Sequence, residues 1–571
     1  MSQELTSNEN IEISQPTKTE EKSSSVARSA GIVSIAVMGS RVMGLVREQV
    51  FAYYFGAGFL FDAYQVGFRI PNTLRDLFAE GALSAAFVKT FTDYQIKRSE
   101  EDAWRLASMV LNALAIVLSI ITILGVLFSK QIVGLIAKGF PPEKIALATM
   151  LTQIMFPFIL LVALAAVAMG VLNTKGRFGI PASASTAFNI VSIIAGLVFA
   201  YWLSGGGWTK SGKDAVPDAA AQWAIIGMAI GTLLGGAAQF LIQVPSMVKV
   251  GFRFSPVVSF TDPGVRQVMR LMGPAIIGTS AVQINVLVNT FFVSSNEAAV
   301  SWLSYAFRLM QFPIGVFGVA IGTAAIPTLS RLAAKGDIPN FRSTLSNALG
   351  LVFLMTIPSA CGLVFLGEPI IRLIYEHGAF KAPDTMMTAY ALAAYAVGLT
   401  GYAAIKVLSP AFYAMDDART PMVISLFSIV VNAIACYFFM SWFSHIGVTA
   451  EHPNGLGHIG VALATSSVAF ANFSLLTFKM KRRIQRIEGR RILSSFMRIS
   501  IASAAMSAVC FFSYKWLFMM FGPRGLHFRL IETFVPIALG GIVFVVMAKL
   551  LKVKELDQFV NAIAGRFLRR R

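Results

Sequence analysis

The sequence predicts an all-α polytopic membrane protein with about fourteen transmembrane helices, in two pseudo-symmetric six-helix lobes followed by two C-terminal helices. Of its 571 residues, 56% are hydrophobic and only 13% are charged, with a mean hydropathy of +0.68. A soluble domain carries roughly twice that charged fraction. Two further observations support this fold class: basic residues recur in alternate loops, and sequence echoes relate the two halves of the chain.

Apolar runs of about 20 residues, long enough to cross a bilayer, recur from residue 30 to the C-terminal region. We predict helices over residues 30–55, 62–94, 103–128, 150–172, 181–205, 221–245, 265–292, 298–328, 343–367, 386–413, 421–443, 457–480, 493–518 and 530–551. Lysine and arginine concentrate in the loops after the even-numbered helices, most densely between residues 479 and 491. The positive-inside rule then places both termini in the cytoplasm.

The domain organisation follows from composition and from the internal echoes. Residues 1–28 are polar and acidic-rich without periodicity, which predicts a disordered cytoplasmic tail and no cleaved signal peptide. FRIPNTL, with Arg69, is echoed by FRLMQFP, with Arg308, about 240 positions later. These echoes predict an N-lobe over 29–250, a C-lobe over 251–482, and a final segment over 483–571 with two helices and a basic cytoplasmic C-terminus.

The composition also argues against several other functions. The net charge of +19 lies in short loops between apolar runs, which indicates membrane topology and not nucleic-acid binding. The five histidines form no HExxH motif, and the three cysteines lie inside apolar runs, so we predict no metal site. No GxxxxGK[ST] loop is present, and no ATP-binding domain is expected.

Charged residues are concentrated inside the predicted helices of the first half, with one counterpart in the second. The arginines are Arg41, Arg47, Arg69, Arg75 and Arg308, and the neighbouring acids are Glu48, Asp62, Asp76 and Glu80. Each ion at the bilayer centre costs about 2.5–3.5 kcal/mol on insertion scales, so these side chains must face one another or a wet cavity. The seven-residue spacing of Arg41 with Glu48, and of Asp62 with Arg69, places each pair on one helix face.

Two interpretations of these ions remain open at this point. They are either internal salt bridges between helices or the lining of a cavity that receives an anion. The arginines outnumber the nearby acids, and unpaired cations do not stabilise a bundle, which favours the cavity. The planar fork of arginine suits phosphate or carboxylate. Gly44 permits close approach of another backbone or a ligand. Pro71, followed by Asn72, predicts a discontinuous helix. Lys406 either joins the cavity or snorkels to the interface.

One stretch of the sequence carries a specific family resemblance. SRVMGLVREQVFAYYFGAGFLFDAYQVGFRIPNTLRDLFAEGALSAAF resembles the MurJ (MviN) lipid II flippases of the multidrug/oligosaccharidyl-lipid/polysaccharide exporter superfamily. The pieces VLNTKGRFGIPA, SYAFRLMQFPIGVFGVAIGTAAIP, YEHGAF and KVLSPAFYAMDDARTP agree with it, and the resemblance covers roughly residues 29 to 550. It implies fourteen helices in two lobes, with a hydrophobic groove formed by the last two helices.

The resemblance also implies roles for individual residues. The substrate-binding set would be Arg41, Arg47, Arg75, Arg308 and Arg69. Asp62 and Glu80 would be the important acids. With them, we place Glu48, Ser40, Asn72, Gly44 and Lys406 in the supporting or gating set. This sequence departs from the family pattern where Glu48 replaces an aspartate and where Phe307 and Gln311 replace acids near Arg308. The counter-ion of Arg308 therefore comes from elsewhere, or the cavity is more positive than in relatives.

The implied function is transport of lipid II from the inner to the outer leaflet of the bacterial cytoplasmic membrane by alternating access, with no catalytic residues and no cofactor. The coupling ion, sodium or a proton, stays open, although Asp416, Asp417 and Asn432 lie in the region where some relatives bind sodium. Expected partners are lipid II, membrane lipids and other cell-wall synthesis proteins. The alternatives are a cation-coupled multidrug exporter or another polyprenyl-linked oligosaccharide exporter, a membrane enzyme acting on polyprenyl phosphates, and a membrane scaffold.

Overall fold

The protein is helical throughout the part of the chain that the computed structural model describes, which comprises residues 18–78, 82–206, 218–449, 454–522 and 525–568. No strand occurs in these ranges. Helices satisfy their own backbone hydrogen bonds, which a chain of this hydropathy needs inside a bilayer.

The helices of the first half run from residue 18 to residue 249. They are α1 (Lys18–Phe55), α2 (Phe59–Phe78), α3 (Ala82–Lys97), α4 (Glu100–Leu127), α5 (Ser129–Ile136), α6 (Pro142–Met155), α7 (Phe158–Thr174), α8 (Gly179–Leu203), α9 (Ala219–Leu241) and α10 (Val244–Lys249).

The helices of the second half follow from residue 263. They are α11 (Pro263–Val293), α12 (Ala299–Pro313), a π-helical segment (Ile314–Val319), α13 (Ala320–Ala334), α14 (Ile338–Phe365), α15 (Gly367–Ile374), α16 (Ala382–Tyr413), α17 (Arg419–Ser444), α18 (Gly457–Arg483), α19 (Gly489–Phe521), α20 (Leu526–Leu550) and α21 (Lys554–Leu568).

Each of the fourteen predicted spans overlaps a helix or a run of consecutive helices. Within the described residues, eleven helical runs are long and apolar enough to cross a membrane, so the chain is a multi-pass membrane protein. The other three predicted spans fall in α1, in α2 with α3, and in α11, all of which carry ions. The count of fourteen therefore stays a prediction.

Two local expectations differ from the observed helices. Helix α1 begins at Lys18, so residues 18–28 of the predicted disordered tail are helical, and residues 1–17 lie outside the described part. Helix α2 continues through Pro71 to Phe78, so the interruption expected at Pro71 does not occur there. A proline removes one backbone hydrogen bond. Helix α2 packs closely on α6 at Gly67, where an added Cβ would lie 3.0 Å from Leu151.

Helices α8 and α9 pack closely through a row of small residues. Gly227, Gly231 and Gly235 recur every fourth position on α9 and face Ala200, Gly196 and Ser192 on α8, respectively. Small residues allow helix backbones to approach, which is the usual source of helix association in membranes.

We expect Gly231→Ala to lower the free energy of unfolding by about 1–3 kcal/mol, the usual cost of overpacking. The new Cβ would lie 2.3 Å from the backbone N of Gly196 and cannot be accommodated by a side-chain rotation. Thermal unfolding in detergent measures the loss. Gly134→Ala is the matched control, because nothing lies within 4 Å of its added Cβ. Equal melting temperatures for the two variants would contradict this account of the α8–α9 contact.

The two halves of the chain meet at the end of the bundle where α1 ends and α2 begins. The hydroxyl of Tyr305, on α12, donates to the carbonyl oxygen of Gly56 at 3.0 Å. The backbone N–H of Ala379 donates to the carbonyl oxygen of Tyr53 at 2.8 Å. Buried aromatic rings fill the space between them, including Phe61 stacked on Tyr305 with ring centroids 4.7 Å apart. This end is therefore closed by packing as well as by hydrogen bonds.

Candidate substrate-binding cavity

A cavity of about 1450 Å³ lies between the two halves of the bundle. This volume exceeds the roughly 300–1,000 Å³ of ordinary small-molecule sites. Helices of both halves line it, and all five arginines singled out in the sequence reach it: Arg41, Arg47, Arg69, Arg75 and Arg308. Arg69 and Arg308, the counterparts in the internal echo, thus enter one cavity from α2 and α12.

The charge of the cavity lining is unbalanced. Among the described residues only two carboxylates, Glu48 and Asp76, line the cavity beside the five arginines. The lining therefore carries an excess of three positive charges. Salt bridges between helices would require matched charges, so this excess favours a cavity that receives an anion.

Glu48 is shared between two arginines. Its Oε1 lies 2.9 Å from Arg308 Nη2 and 3.5 Å from Arg47 Nη2. The counter-ion of Arg308 therefore comes from α1, in the other half of the chain. Arg47 is buried over the ring of Phe188, and its Nε and Nη1 have no hydrogen-bond partner within the described ranges. One carboxylate cannot satisfy two guanidinium groups, so donors remain for a guest.

Arg75 is held by its neighbour in sequence. Asp76 Oδ1 accepts from Arg75 Nε at 3.0 Å and from Arg75 Nη2 at 2.6 Å. The other carboxylate oxygen of Asp76 accepts from Gln283 Nε2, on α11, at 2.8 Å. Sequence reasoning missed Gln283, because a single glutamine in an apolar run has no pattern that marks it.

Arg41 and Arg69 have fewer contacts. Arg41 is exposed, and its guanidinium lies against Gly315 in the π-helical segment, where an added Cβ would be 2.2 Å from Nη1. Glycine at this position leaves the space that the arginine occupies. Arg69 Nε is buried without a hydrogen-bond partner in the part of the chain described here.

The supporting residues divide into three groups. Ser40, Gly44 and Asn72 line the cavity. Lys406 does not: it is exposed on α16 and absent from the lining, so of its two alternatives the one that joins the cavity is not observed. A helix surface has room for a long flexible side chain that sequence alone cannot orient. Glu80 lies outside the described residues.

Asp62 lies away from the cavity, although its spacing predicted a shared face with Arg69. Its side chain is fully buried at the closed end of the bundle. Asp62 accepts hydrogen bonds from Lys144 Nζ at 2.8 Å, from the Ala298 N–H at 3.1 Å and from the Ser301 N–H at 2.8 Å. The Ser301 hydroxyl also donates to it. Asp62 therefore joins α2 to α12, across the two halves.

Lys144 completes this contact, which we call the Asp62 latch: Asp62, Lys144, Glu297 and Ser301. Lys144 Nζ lies 3.1 Å from Glu297 Oε1 and 4.5 Å from the ring centroid of Phe140, and its side chain is 1% exposed. Sequence reasoning missed Lys144, Glu297 and Ser301. Lys144 looks like an ordinary residue of a helix's first turn, and only its burial distinguishes it.

The residues considered for sodium do not come together. Asp416 and Asp417 lie in the turn before α17, whereas Asn432 lies within that helix and donates to Asn289 Oδ1 at 2.8 Å. Although burial opposes it, hydrogen bonds from Thr420 lower the pKa of Asp417. No three His, Cys, Asp or Glu side chains in the described ranges lie close enough together to hold a metal ion.

The cavity continues into an apolar groove between α14, α19 and α20. Its lining there includes Pro358, Met506, Ile537 and Phe544. Helices α19 and α20 contain the last two predicted spans, where the resemblance implies a hydrophobic groove. A cationic chamber thus opens directly onto an apolar channel, an arrangement that suits an amphiphile with an anionic head.

Comparison with known proteins identifies the family to which this chain is similar. The family model described as lipid II flippase MurJ matches residues 51–527. A probable lipid II flippase MurJ of Buchnera aphidicola is 31% identical over 92% of this chain and 98% of that protein. A lipid II flippase MurJ of Burkholderia cenocepacia is 36% identical over 72% of this chain and 77% of that protein.

Solved structures give the same result. A structure described as lipid II flippase MurJ in an inward closed conformation matches with a TM-score of 0.71 and 28% identity, over 91% of this chain and 98% of that one. An inward-facing multidrug transporter of the MATE family matches with a TM-score of 0.61 and 15% identity, over 79% of this chain and 94% of that one, which shows a shared fold. The chain therefore belongs to the MurJ family of lipid II flippases, which are transporters and not enzymes.

Proposed function

We propose that this protein moves lipid II, a polyprenyl diphosphate glycolipid, from the inner to the outer leaflet of the bacterial cytoplasmic membrane. One observation carries the proposal: five arginines and two carboxylates line a single cavity that opens onto an apolar groove. A diphosphate supplies the missing negative charge, and guanidinium groups bind phosphate oxygens in pairs.

The parts of the substrate match the parts of the cavity. Arg41, Arg47, Arg69, Arg75 and Arg308 bind the diphosphate, and the large polar chamber holds the sugar–peptide head. The polyprenyl tail lies in the groove along α19 and α20. Among the described carboxylates, only Glu48 and Asp76 compete for these arginines.

Alternating access requires the closed end of the bundle to open. The Asp62 latch and the aromatic contacts around Tyr305 hold the halves together at that end. With both termini in the cytoplasm, this end faces the cell exterior, because α1 crosses the membrane before reaching it. Opening the latch would release the head group outward, as the two lobes rock around the central site.

The membrane potential can drive this movement. Moving two negative charges outward across a membrane that is negative inside releases about 2.3 kcal/mol per charge per 100 mV. We expect head-group translocation in sealed vesicles to accelerate when an inside-negative potential is imposed. Rates that ignore the potential would point to an ion gradient, with sodium or a proton as the coupling ion.

Lipid binding tests the proposal directly. We expect native mass spectrometry of the purified protein to show a bound polyprenyl diphosphate glycolipid, and Arg41→Ala to reduce that binding about tenfold or more, as loss of a charged hydrogen bond predicts. Lys406→Ala is the matched control, because it removes a cation of a spanning helix that does not line the cavity.

The same experiment separates the alternatives. A multidrug exporter would bind cationic drugs, for which an arginine-rich cavity is unsuited. Retained glycolipid binding in Arg41→Ala, or tighter binding of a cationic drug than of the diphosphate lipid, would overturn the proposal.

A further inference from the structure

A second buried charge cluster lies where α15, α19 and α20 meet. It contains two arginines, Arg372 and Arg529, and three carboxylates, Glu368, Glu376 and Glu532. None of these residues belongs to the arginine set of the central cavity or to the Asp62 latch. The carboxylates outnumber the arginines by one, which is the reverse of the imbalance in the central cavity.

The hydrogen bonds of Arg372 go to partners other than Glu532. Its Nη2 donates to Glu368 Oε1, its Nη1 donates to the hydroxyl of Tyr514 at 3.2 Å, and its Nε lies 3.7 Å from Glu376 Oε2. The guanidinium also lies 4.8 Å from the ring centroid of Phe518.

The hydrogen bonds of Arg529 also go to groups other than Glu532. Its Nη1 donates to the backbone carbonyl oxygens of Arg372, in the last turn of α15, at 3.2 Å and of Glu376, just after that helix, at 2.7 Å. Its Nη2 donates to Glu376 Oε1 at 3.3 Å. The hydroxyl of Thr385 donates to the other carboxylate oxygen of Glu376 at 2.7 Å. Glu376 thus has the partners that an ionised carboxylate needs.

Glu532 has none of these partners. Its side chain is 1% exposed, and neither carboxylate oxygen has a hydrogen-bond partner among the described residues. The nearest cation is Arg372, whose Nη1 lies 3.9 Å from Oε2. An ionised carboxylate that is buried without donors is strongly unfavourable, because it loses its hydration and gains nothing in return.

The other titratable groups nearby do not change this balance. On α19, Lys515 is exposed and lies over the ring of Phe511. His377 directs Nε2 to the carbonyl oxygen of Leu373 at 3.0 Å, and His527, on α20, is exposed. Glu368, Arg372, Glu376, Tyr514 and Arg529 are therefore the groups that set the charge around Glu532.

We propose that Glu532 is a proton-binding site, occupied in this conformation. One proton removes the single excess negative charge of the cluster, and it is assigned to the one carboxylate without a hydrogen-bond donor. A metal ion fits less well, because it needs several oxygen ligands around it and neither Glu532 oxygen exposes surface to admit one.

The site also lies beside the groove. Thr533 and Phe534, the next residues on α20, line the continuous cavity. The Thr533 hydroxyl donates to the Pro369 carbonyl oxygen at 3.2 Å, which joins α20 to α15. Release of the proton would place an uncompensated charge in this contact and loosen α20 from α15. The proposal does not depend on which lipid the protein carries.

Infrared spectroscopy of the purified full chain tests the site. At neutral pH the wild-type spectrum should contain the carbonyl stretch of a protonated carboxyl group, and Glu532→Gln should lose that band. Glu368→Gln is the matched control and should keep the band, because Glu368 accepts a hydrogen bond from Arg372 as an ionised group. An unchanged band in Glu532→Gln would overturn the proposal.

Thermal unfolding as a function of pH gives an independent measurement. The wild-type melting temperature should fall as pH rises above the ordinary titration range of a glutamate, because the folded protein keeps on Glu532 a proton that the unfolded chain releases. Glu532→Gln mimics the protonated group and should lack this fall. If Glu532→Gln lowers the melting temperature at every pH as strongly as Glu368→Gln does, Glu532 is instead an ionised partner in an ion pair. Stabilisation by sodium that disappears in Glu532→Gln would make the site a metal-cation site. Either of these last two results, the destabilisation at every pH or the stabilisation by sodium, would overturn the proposal.

Discussion

Asp62→Ala should lower the free energy of unfolding by about 3–5 kcal/mol, the usual cost of breaking a buried ion pair by removing one partner. Lys144 would remain buried, and Glu297, whose side chain is 60% exposed, would be its one remaining carboxylate partner among the described residues. The backbone N–H groups of Ala298 and Ser301 would also lose their acceptor. Ala298 has a positive φ of 61°, an unusual conformation that the lost hydrogen bond helps to hold.

Equilibrium unfolding in detergent, compared with two further variants, isolates this effect. Glu297→Gln is the control and should cost less than Asp62→Ala, because the buried Lys144 then keeps Asp62 as its ionic partner at 2.8 Å. Adding Lys144→Met to Asp62→Ala should recover part of the lost stability by removing the buried cation. If the double variant is less stable than Asp62→Ala alone, Lys144 stabilises the latch through its aromatic contacts and not through its charge.

Arg308→Ala should weaken binding of a polyprenyl diphosphate roughly ten- to hundredfold, because a hydrogen bond to a charged group contributes about 1.5–3 kcal/mol. Arg308→Lys should recover only part of this affinity, since an ammonium group keeps the charge but not the paired donors. The side chain of Arg308 is 45% exposed within the cavity, so truncation should leave the fold intact. Ligand titration followed by native mass spectrometry measures the change.

Glu48→Gln should have the opposite effect on the same measurement. Glu48 is an internal anion that contacts Arg47 and Arg308, and a diphosphate must displace it from both. Neutralising it should therefore tighten lipid binding, at some loss of stability in the empty protein. Lys406→Ala should leave affinity unchanged. If Glu48→Gln weakens binding as much as Arg308→Ala, the carboxylate orients the two guanidinium groups for the substrate and does not compete with it.

Properties that depend on local composition were predictable from the sequence. All fourteen apolar segments overlap helices, because a run of about 20 apolar residues must form its backbone hydrogen bonds internally in a bilayer. The shared cavity of the five arginines follows from the cost of exposing such ions to lipid, and that cost is a property of each residue. The same argument could not orient Lys406, because a long side chain on a helix surface can reach the interface instead.

The tertiary structure alone decided which charges meet. Glu48 reaches Arg308, and Asp62 reaches Lys144 and Ser301, through contacts between helices that are remote in sequence. Helical spacing put Asp62 on one face with Arg69, yet the two side chains lie two helical turns apart, and packing places Asp62 at the closed end and Arg69 in the cavity. In the sequence, Glu532 resembles any acid near the start of a helix. Only the structure shows that Arg372 and Arg529 donate to other groups, so that Glu532 has no hydrogen-bond donor among the described residues. Hydropathy and charge cost act residue by residue and can be read along the chain, whereas ion pairing depends on distances across the folded bundle.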